Sequence, residues 1–236
     1  MFQFYLGIPD LDGPYWTMII EMLFYIFMLF LFKIKCFKWA AGIGILFCSI
    51  IVFLTYFYFE ISLVKRIFIG FPLFQFMPLF IGGICFYKIQ KGCNIAQNYF
   101  IALTAFIYQI VLFPNAGRSH HFISLPEYTI MLTIYFLLFV LFVNNCLKFI
   151  VTKTTLFFGR ISYALYLTHM AISQAFIIPI FYEKLGINFY IVVVFIALPI
   201  TIGIATFITN KIEKPYSKLI KEKLQTLTFK FFKLKN

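Results

Sequence analysis

The chain has 236 residues, of which 63% are hydrophobic and only 12% are charged, whereas a soluble globular domain carries roughly 25% charged residues. A soluble fold of this length cannot bury so much apolar surface, but a bilayer can, because lipid replaces the missing polar exterior. The composition therefore excludes a water-soluble protein and predicts an all-α fold, a polytopic transmembrane helical bundle. The formal net charge of +12 does not indicate nucleic-acid binding, because its largest block directly follows the last apolar run.

Seven apolar runs are long enough to cross a hydrocarbon core of about 30 Å, which takes about 20 helical residues. In chain order they cover residues 15–33, 40–58, 67–87, 96–114, 127–147, 161–182 and 188–210. Pro72 and Pro78 in the third run, and Pro199 in the seventh, should kink their helices unless neighbours satisfy the freed carbonyls. We expect one membrane domain over residues 1–220 and a basic tail over residues 221–236.

Lysine and arginine between the runs predict the orientation, because basic residues are retained on the cytoplasmic side. Alternate connections and termini carry 16 basic residues on one side and 4 on the other. This bias predicts an N-terminus outside and a C-terminus in the cytoplasm, in a multi-pass protein of the cell (plasma) membrane. The segment from Lys211 to Lys235 suits either an interfacial helix on anionic headgroups or a solvated tail that only fixes topology.

Two ionisable residues at membrane depth are functional candidates by default. Glu21 lies five residues beyond Trp16 in the first run, and His169 lies eight residues into the sixth. Measured from opposite faces, their depths of about 7.5 Å and 12 Å leave about 10 Å of a 30 Å core between them. Direct hydrogen bonding between them is therefore not expected.

Polar residues of the sixth run recur at helical intervals and share one face with His169, with Gln174 beside it; they are Ser162, Tyr166, His169 and Ser173. Such a stripe faces a bundle interior or a water-filled cavity. Spacing alone favours interhelical hydrogen bonds without chemistry over a general base, which needs a substrate and a partner.

Metal and thiol sites find little support in the sequence. The five cysteines are odd in number and scattered, which argues against a disulfide framework or a thiolate metal site. Arg118, His120 and His121 form a small loop cluster, but two histidines without a third ligand are more typical of a solvated loop than of a catalytic zinc. We expect no metal and no bound cofactor.

Four segments, in order, resemble the acyltransferase 3 family of bacterial membrane O-acyltransferases. The segment Gly13-Pro14-Tyr15-Trp16-Thr17-Met18-Ile19-Ile20-Glu21, with Phe24-Tyr25, is similar to its Trp-Ser/Thr-Leu-x-x-Glu-x-x-Phe-Tyr pattern, and Phe80-Ile81-Gly82-Gly83 to its Phe-x-x-Gly element. The most specific match is Phe158-Gly159-Arg160-Ile161-Ser162-Tyr163-Ala164-Leu165-Tyr166-Leu167-Thr168-His169, which resembles Gly-x-x-Ser-Tyr-x-x-Tyr-Leu-x-His. Ile212-Glu213-Lys214-Pro215-Tyr216 is similar to the closing Glu-Lys/Arg-Pro-Phe/Tyr.

This resemblance implies an enzyme that moves an acetyl or other short acyl group from acyl-CoA to a sugar hydroxyl of a surface polysaccharide or glycan. Catalytic candidates are His169 and Glu21. The substrate-binding candidates are Trp16, Ser162, Tyr163, Tyr166 and Glu213. The implied partners are the lipid bilayer, acyl-CoA and glycan substrates, and an N-terminal fragment.

The same resemblance covers only the later part of a family member, which usually has about ten spans. Family members carry a basic residue, ten intervening positions and a His near the first span, and that His is thought to be the base; no counterpart occurs in this sequence. An exterior start without a signal also suggests that an odd number of spans is missing upstream. We therefore expect the C-terminal portion of an acyltransferase, inactive by itself.

Two other functional classes of membrane protein are alternatives to an acyltransferase. The first is a remnant or accessory membrane protein without catalysis, which could complete a site with another polypeptide; acyl-transfer assays of the chain alone and with a candidate partner separate it from the enzyme. A seven-helix receptor or retinal protein matches the span number and orientation only, since residues 188–210 contain no lysine for a Schiff base and topology alone does not establish function.

Overall fold

The computed structural model describes residues 16–58, 61–115 and 123–233. These residues are 89% helical and contain no strand, which confirms the predicted all-α fold class. They form two compact units, with residues 16–150 in the first and residues 151–233 in the second.

Six helices of the described chain are long and apolar enough to cross a membrane. They are Phe37–Tyr58, Leu73–Gln90, Ile95–Asn115, Leu125–Val143, Lys153–Lys184 and Phe189–Lys223. These six correspond to the second through seventh predicted spans and confirm a polytopic helical membrane protein. The first predicted span is also helical, over the 18 residues Trp16–Lys33. The orientation of the termini stays a prediction.

The described part of the first unit contains six α-helices, named here in chain order. They are α1 (Trp16–Lys33), α2 (Ala40–Tyr58), α3 (Ser62–Gly70), α4 (Leu73–Gln90), α5 (Ile95–Leu112) and α6 (Leu125–Val143). The third predicted span was expected to begin at residue 67, but the helix is interrupted there: α3 ends at Gly70 and α4 begins at Leu73. Phe71 leaves the helical region, with φ −123° and ψ 79°, as expected for a residue that precedes proline. Pro72 precedes the first residue of α4, and Pro78 lies within that helix without ending it.

The core of the first unit lies around α4. Met77, Ile81 and Cys85 of α4 and Cys48 of α2 are fully buried, and the stacked rings of Phe24 and Phe80, 4.2 Å apart, join α1 to α4. The hydrophobic effect does not hold helices together in lipid, because lipid tails are as apolar as the side chains, and van der Waals packing takes its place. Close contact is therefore the stabilising term here.

Polar contacts and a tight turn supplement this packing. Ser49 Oγ of α2 and Tyr108 Oη of α5 are 3.0 Å apart, and Gln75 Nε2 of α4 donates to the carbonyl of Asn115 at 2.9 Å. The turn from α4 to α5 passes through Gly92 at φ 74° and Asn94 at φ 41°, values in the left-handed region that glycine and asparagine tolerate best.

The second unit is a pair of long helices that pack against each other. We name them α7 (Lys153–Lys184) and α8 (residues 189–233). Two clusters of buried side chains join them, one formed by Ile161, Ala164 and Ala205 and the other by Ile177, Val192 and Ala197. Both helices exceed their predicted spans, because α7 begins eight residues before residue 161 and α8 continues helically to Lys233.

Each proline of α7 and α8 follows a π-helical segment that ends two residues before it. The segments are Ser173–Ile177 before Pro179, Val192–Ala197 before Pro199, and Thr209–Glu213 before Pro215. A proline cannot donate to the carbonyl four residues back, and a local π adjustment re-satisfies the freed groups. The helices therefore continue through their prolines.

Candidate functional site

An open groove in the second unit is lined by the four residues of the polar stripe predicted from the sequence. It has a volume of about 460 Å³. Its walls are Phe158, Ser162, Leu165, Tyr166, His169 and Ser173 of α7 and Val193, Ala197, Leu198 and Thr201 of α8. The four members of the polar stripe thus share one wall, whereas Tyr163 and Gln174 are not among the lining residues.

The contacts of His169 with the backbone indicate which tautomer its neutral ring adopts. Nδ1 lies 3.0 Å from the carbonyl oxygen of Leu165 and 2.9 Å from that of Tyr166. Carbonyl oxygens only accept, so Nδ1 carries the proton. In the neutral ring, Nε2 therefore carries the lone pair. Because the side chain is exposed, that lone pair is available to a hydroxyl in the groove.

Hydroxyl groups of the groove are oriented by the backbone. Ser162 Oγ donates to the carbonyl of Gly159 at 2.9 Å, and Thr201 Oγ1 donates to the carbonyl of Ala197 at 2.8 Å. Their oxygens keep acceptor capacity. The groove thus offers acceptors to a polyol, with an imidazole nitrogen among them.

The other site candidates lie elsewhere. Glu21 is a half-buried residue of α1. Because Glu21 belongs to the first unit and His169 to the second, the predicted separation between the two side chains stays a prediction. The side chain of Trp16 and the loop cluster of Arg118, His120 and His121 lie outside the described part of the chain. Among the described residues, no group of three His, Cys, Asp or Glu side chains is placed to hold a metal ion.

Glu213 does not line the groove but a second cavity of the same unit, together with basic side chains of α7 and α8. The segment from Lys211 to Lys235 was predicted to be an interfacial helix or a solvated tail, and this cavity was not predicted. The signal was present in the spacing of Lys214, Lys218 and Lys221, which places the three on one helical face.

The first unit contains an almost entirely apolar cavity of about 340 Å³ between α4, α5 and α6. Gly82 and Gly83, from the second of the four segments, line it, and a Cβ at either position would meet open space. Tyr128 contributes one of its few polar groups. The cavity is suited to apolar groups and lacks the side chains for acid–base chemistry.

Comparison with protein families agrees with the pattern of the sequence segments. The model of the acyltransferase 3 family, described as an acyltransferase domain, matches residues 2–210. No curated protein and no solved structure shows significant similarity to the chain. The match spans both units and includes the groove residues, whereas the expected restriction to the C-terminal portion of a family member stays a prediction.

Proposed function

Because the chain belongs to the acyltransferase 3 family, we propose that it is a membrane O-acyltransferase acting on a sugar hydroxyl of a surface polysaccharide or glycan. The donor is an acyl-CoA, and the group moved is an acetyl or other short acyl group. The observation that carries the proposal to particular residues is the open groove between α7 and α8, in which Nδ1 of His169 faces two backbone carbonyls and Nε2 is left as the acceptor of the ring.

The reaction needs a hydroxyl oxygen to attack the thioester carbonyl. In the attack the oxygen–carbonyl bond forms, the carbon–sulfur bond breaks, and the hydroxyl proton passes through a base to the departing CoA thiolate. In the proposed complex the acceptor hydroxyl donates to Nε2 of His169, while Ser162 and Thr201 accept hydrogen bonds from neighbouring hydroxyls. His169 then serves either as the positioning group or as a substitute for the family base.

Turnover by this chain depends on residues that the family places near its first span. None of the three histidines here has a basic residue with ten intervening positions before it. We therefore expect no measurable acetyl-CoA-dependent transfer to glycans by the purified chain alone. We expect transfer on co-expression with an N-terminal fragment of a family member that carries this pattern.

The contribution of His169 is tested in that restored system. We expect His169→Ala to lower transfer about fivefold or more, because a hydrogen bond worth about 1 kcal/mol or more is lost in the groove. The matched control is Gln174→Ala, since Gln174 is an exposed polar residue near His169 that does not line the groove. Radiolabelled acetyl transfer to a glycan acceptor measures both variants.

Two outcomes would change the proposal. Robust turnover by the purified chain, abolished by His169→Ala, would contradict the expected inactivity and make His169 the base. Absence of transfer in every combination would overturn the enzymatic proposal and favour a non-catalytic accessory protein.

A further inference from the structure

A second cavity of the second unit is strongly basic. It has a volume of about 640 Å³, which is within the range of about 300–1,000 Å³ typical of ligand sites. It is lined by Arg160 of α7 and by Thr209, Lys214, Ser217, Lys218 and Lys221 of α8. Glu213 and Glu222 also line it, so four cationic groups face two carboxylates and the cavity is net positive.

Thr209 is the residue that distinguishes this cavity from a solvated basic surface. Its side chain is 5% exposed, and its Oγ1 is buried without a hydrogen-bond partner. Seven other described threonines donate to the carbonyl four residues earlier; they are Thr55, Thr104, Thr129, Thr133, Thr168, Thr201 and Thr206. A buried hydroxyl without a partner is unfavourable, and an acceptor oxygen in the cavity would satisfy it.

Thr209 lies where the backbone of α8 departs from a regular α-helix. This residue begins the π-helical segment Thr209–Glu213, which precedes Pro215. Beyond this segment the helix presents Lys214, Lys218 and Lys221 on one face. Lys214 Nζ is held 2.6 Å from Oδ1 of Asn210, a neutral group that orients the ammonium without neutralising it.

We propose that this cavity binds a phosphate group, with Thr209 Oγ1 donating to a phosphate oxygen. Arg160, Lys214, Lys218 and Lys221 supply the compensating charge, and the Ser217 hydroxyl is a second neutral donor. A phosphate group suits this arrangement because its several oxygens accept charge-assisted hydrogen bonds from different directions at once, and arginine matches two of them with its planar fork.

Two sources provide a phosphate at this end of the helices. One is the nucleotide part of coenzyme A, and this source rests on the proposed function. The other is an anionic phospholipid headgroup, which needs no enzymatic role. Both are reachable at the cytoplasmic face, where the charge bias predicts that this end of α7 and α8 lies.

The experiment measures binding by the full chain reconstituted in nanodiscs, without turnover. In the first arm, coenzyme A is titrated into phosphatidylcholine nanodiscs and binding is followed by isothermal calorimetry. In the second, the chain is purified from mixed phosphatidylcholine and phosphatidylglycerol, and native mass spectrometry counts the retained phosphatidylglycerol. Because no acyl transfer is involved, failure of the phosphate site and failure of the proposed function are separate results.

Two variants remove the proposed contacts, and each has a matched control. Thr209→Val removes the unpaired hydroxyl and keeps the shape, whereas Thr206→Val removes a hydroxyl already bonded to Ile202. Lys218→Gln removes an exposed charge of the cavity, whereas Lys148→Gln removes one from the first unit. We expect each cavity variant to weaken binding about fivefold to tenfold and each control to leave it unchanged.

The outcomes separate the sources. Variant-sensitive binding of coenzyme A supports the site with the acyl donor as its source, and variant-sensitive retention of phosphatidylglycerol alone supports it with a lipid headgroup. Absence of binding in both arms, or binding that Thr209→Val and Lys218→Gln leave unchanged, overturns the proposal. Lys218→Gln keeps the test valid if Thr209→Val fails to fold, because Lys218 is exposed.

Discussion

Gly44 and Ile81 together set how closely α2 and α4 approach in the first unit. Gly44 is buried, and a Cβ built on it would overlap Cδ1 of Ile81 and lie 2.8 Å from Cγ1. Ile81 is itself fully buried, so its side chain has little room to move. Small residues at such contacts let membrane helices gain van der Waals attraction that lipid cannot supply.

Gly44→Ala should therefore destabilise the first unit by about 1–3 kcal/mol, the usual cost of overpacking a core. The matched control is Gly42→Ala, two residues earlier in α2, where an added Cβ meets nothing within 4 Å and alanine favours the helix by up to about 1 kcal/mol. Thermal unfolding of both variants in detergent measures the difference. A melting temperature for Gly44→Ala equal to that of Gly42→Ala would contradict this close packing.

At the scale of elements, α7 extends beyond its apolar run, and a cap at its N-terminus stabilises the first turn. Its 32 residues correspond to about 48 Å at 1.5 Å per residue, more than a hydrocarbon core of about 30 Å. The helix begins at a reciprocal cap, in which the Thr155 N–H donates to Thr152 Oγ1 at 3.2 Å and the Thr152 N–H donates to Thr155 Oγ1 at 2.9 Å. This cap supplies hydrogen-bond partners to backbone N–H groups of the first turn, which have no carbonyl of a preceding turn to bond.

Thr152→Ala should destabilise the second unit by about 1 kcal/mol, the typical cost of losing a threonine N-cap. Thr154→Ala is the matched control, because Thr154 is an exposed residue of the same first turn and takes no part in the cap. Denaturant titration followed by circular dichroism compares them. Equal midpoints for the two variants would show that the cap does not limit the stability of α7.

At the scale of the whole molecule, the predicted orientation has a readout already present in the chain. Cys36 and Cys93 lie in connections that the charge bias places in the cytoplasm, and Cys146 lies at the end of the fifth predicted span that leads to the same side. Cys93 and Cys146 are exposed. Cys48 and Cys85 are fully buried within α2 and α4. The native thiols therefore divide into reactive residues on one predicted side and protected residues in the core.

A membrane-impermeant maleimide should label Cys93 and Cys146 in inside-out vesicles and not in right-side-out vesicles. Cysteine introduced by Lys184→Cys, in the connection predicted to be exterior, should give the opposite result. Mass spectrometry of the labelled peptides identifies each site, and Cys48 and Cys85 should react only after unfolding. Labelling of Cys93 and Lys184→Cys from the same side would contradict the predicted topology.

The sequence by itself determined the fold class, most of the span positions and the family, because these depend on local properties. Composition and the length of apolar runs suffice to predict membrane-spanning helices, and the spacing of Ser162, Tyr166, His169 and Ser173 predicts a shared helical face. A kink was predicted at Pro72, but the full break of the helix between α3 and α4 and the early start of α7 were missed. In the first case an apolar run continues across the turn, and in the second the first turns of the helix are too polar for a hydropathy pattern to include.

Only the tertiary structure decided which side chains of α8 face the polar stripe of α7, because that depends on how the two helices pack against each other. The closing wall comes from Val193, Ala197, Leu198 and Thr201, and no spacing within α7 identifies them. The tautomer of His169 follows from two carbonyl distances, and the unpaired hydroxyl of Thr209 follows from burial. Hydrogen bonding and burial are properties of the packed helices, so chain order alone does not contain them.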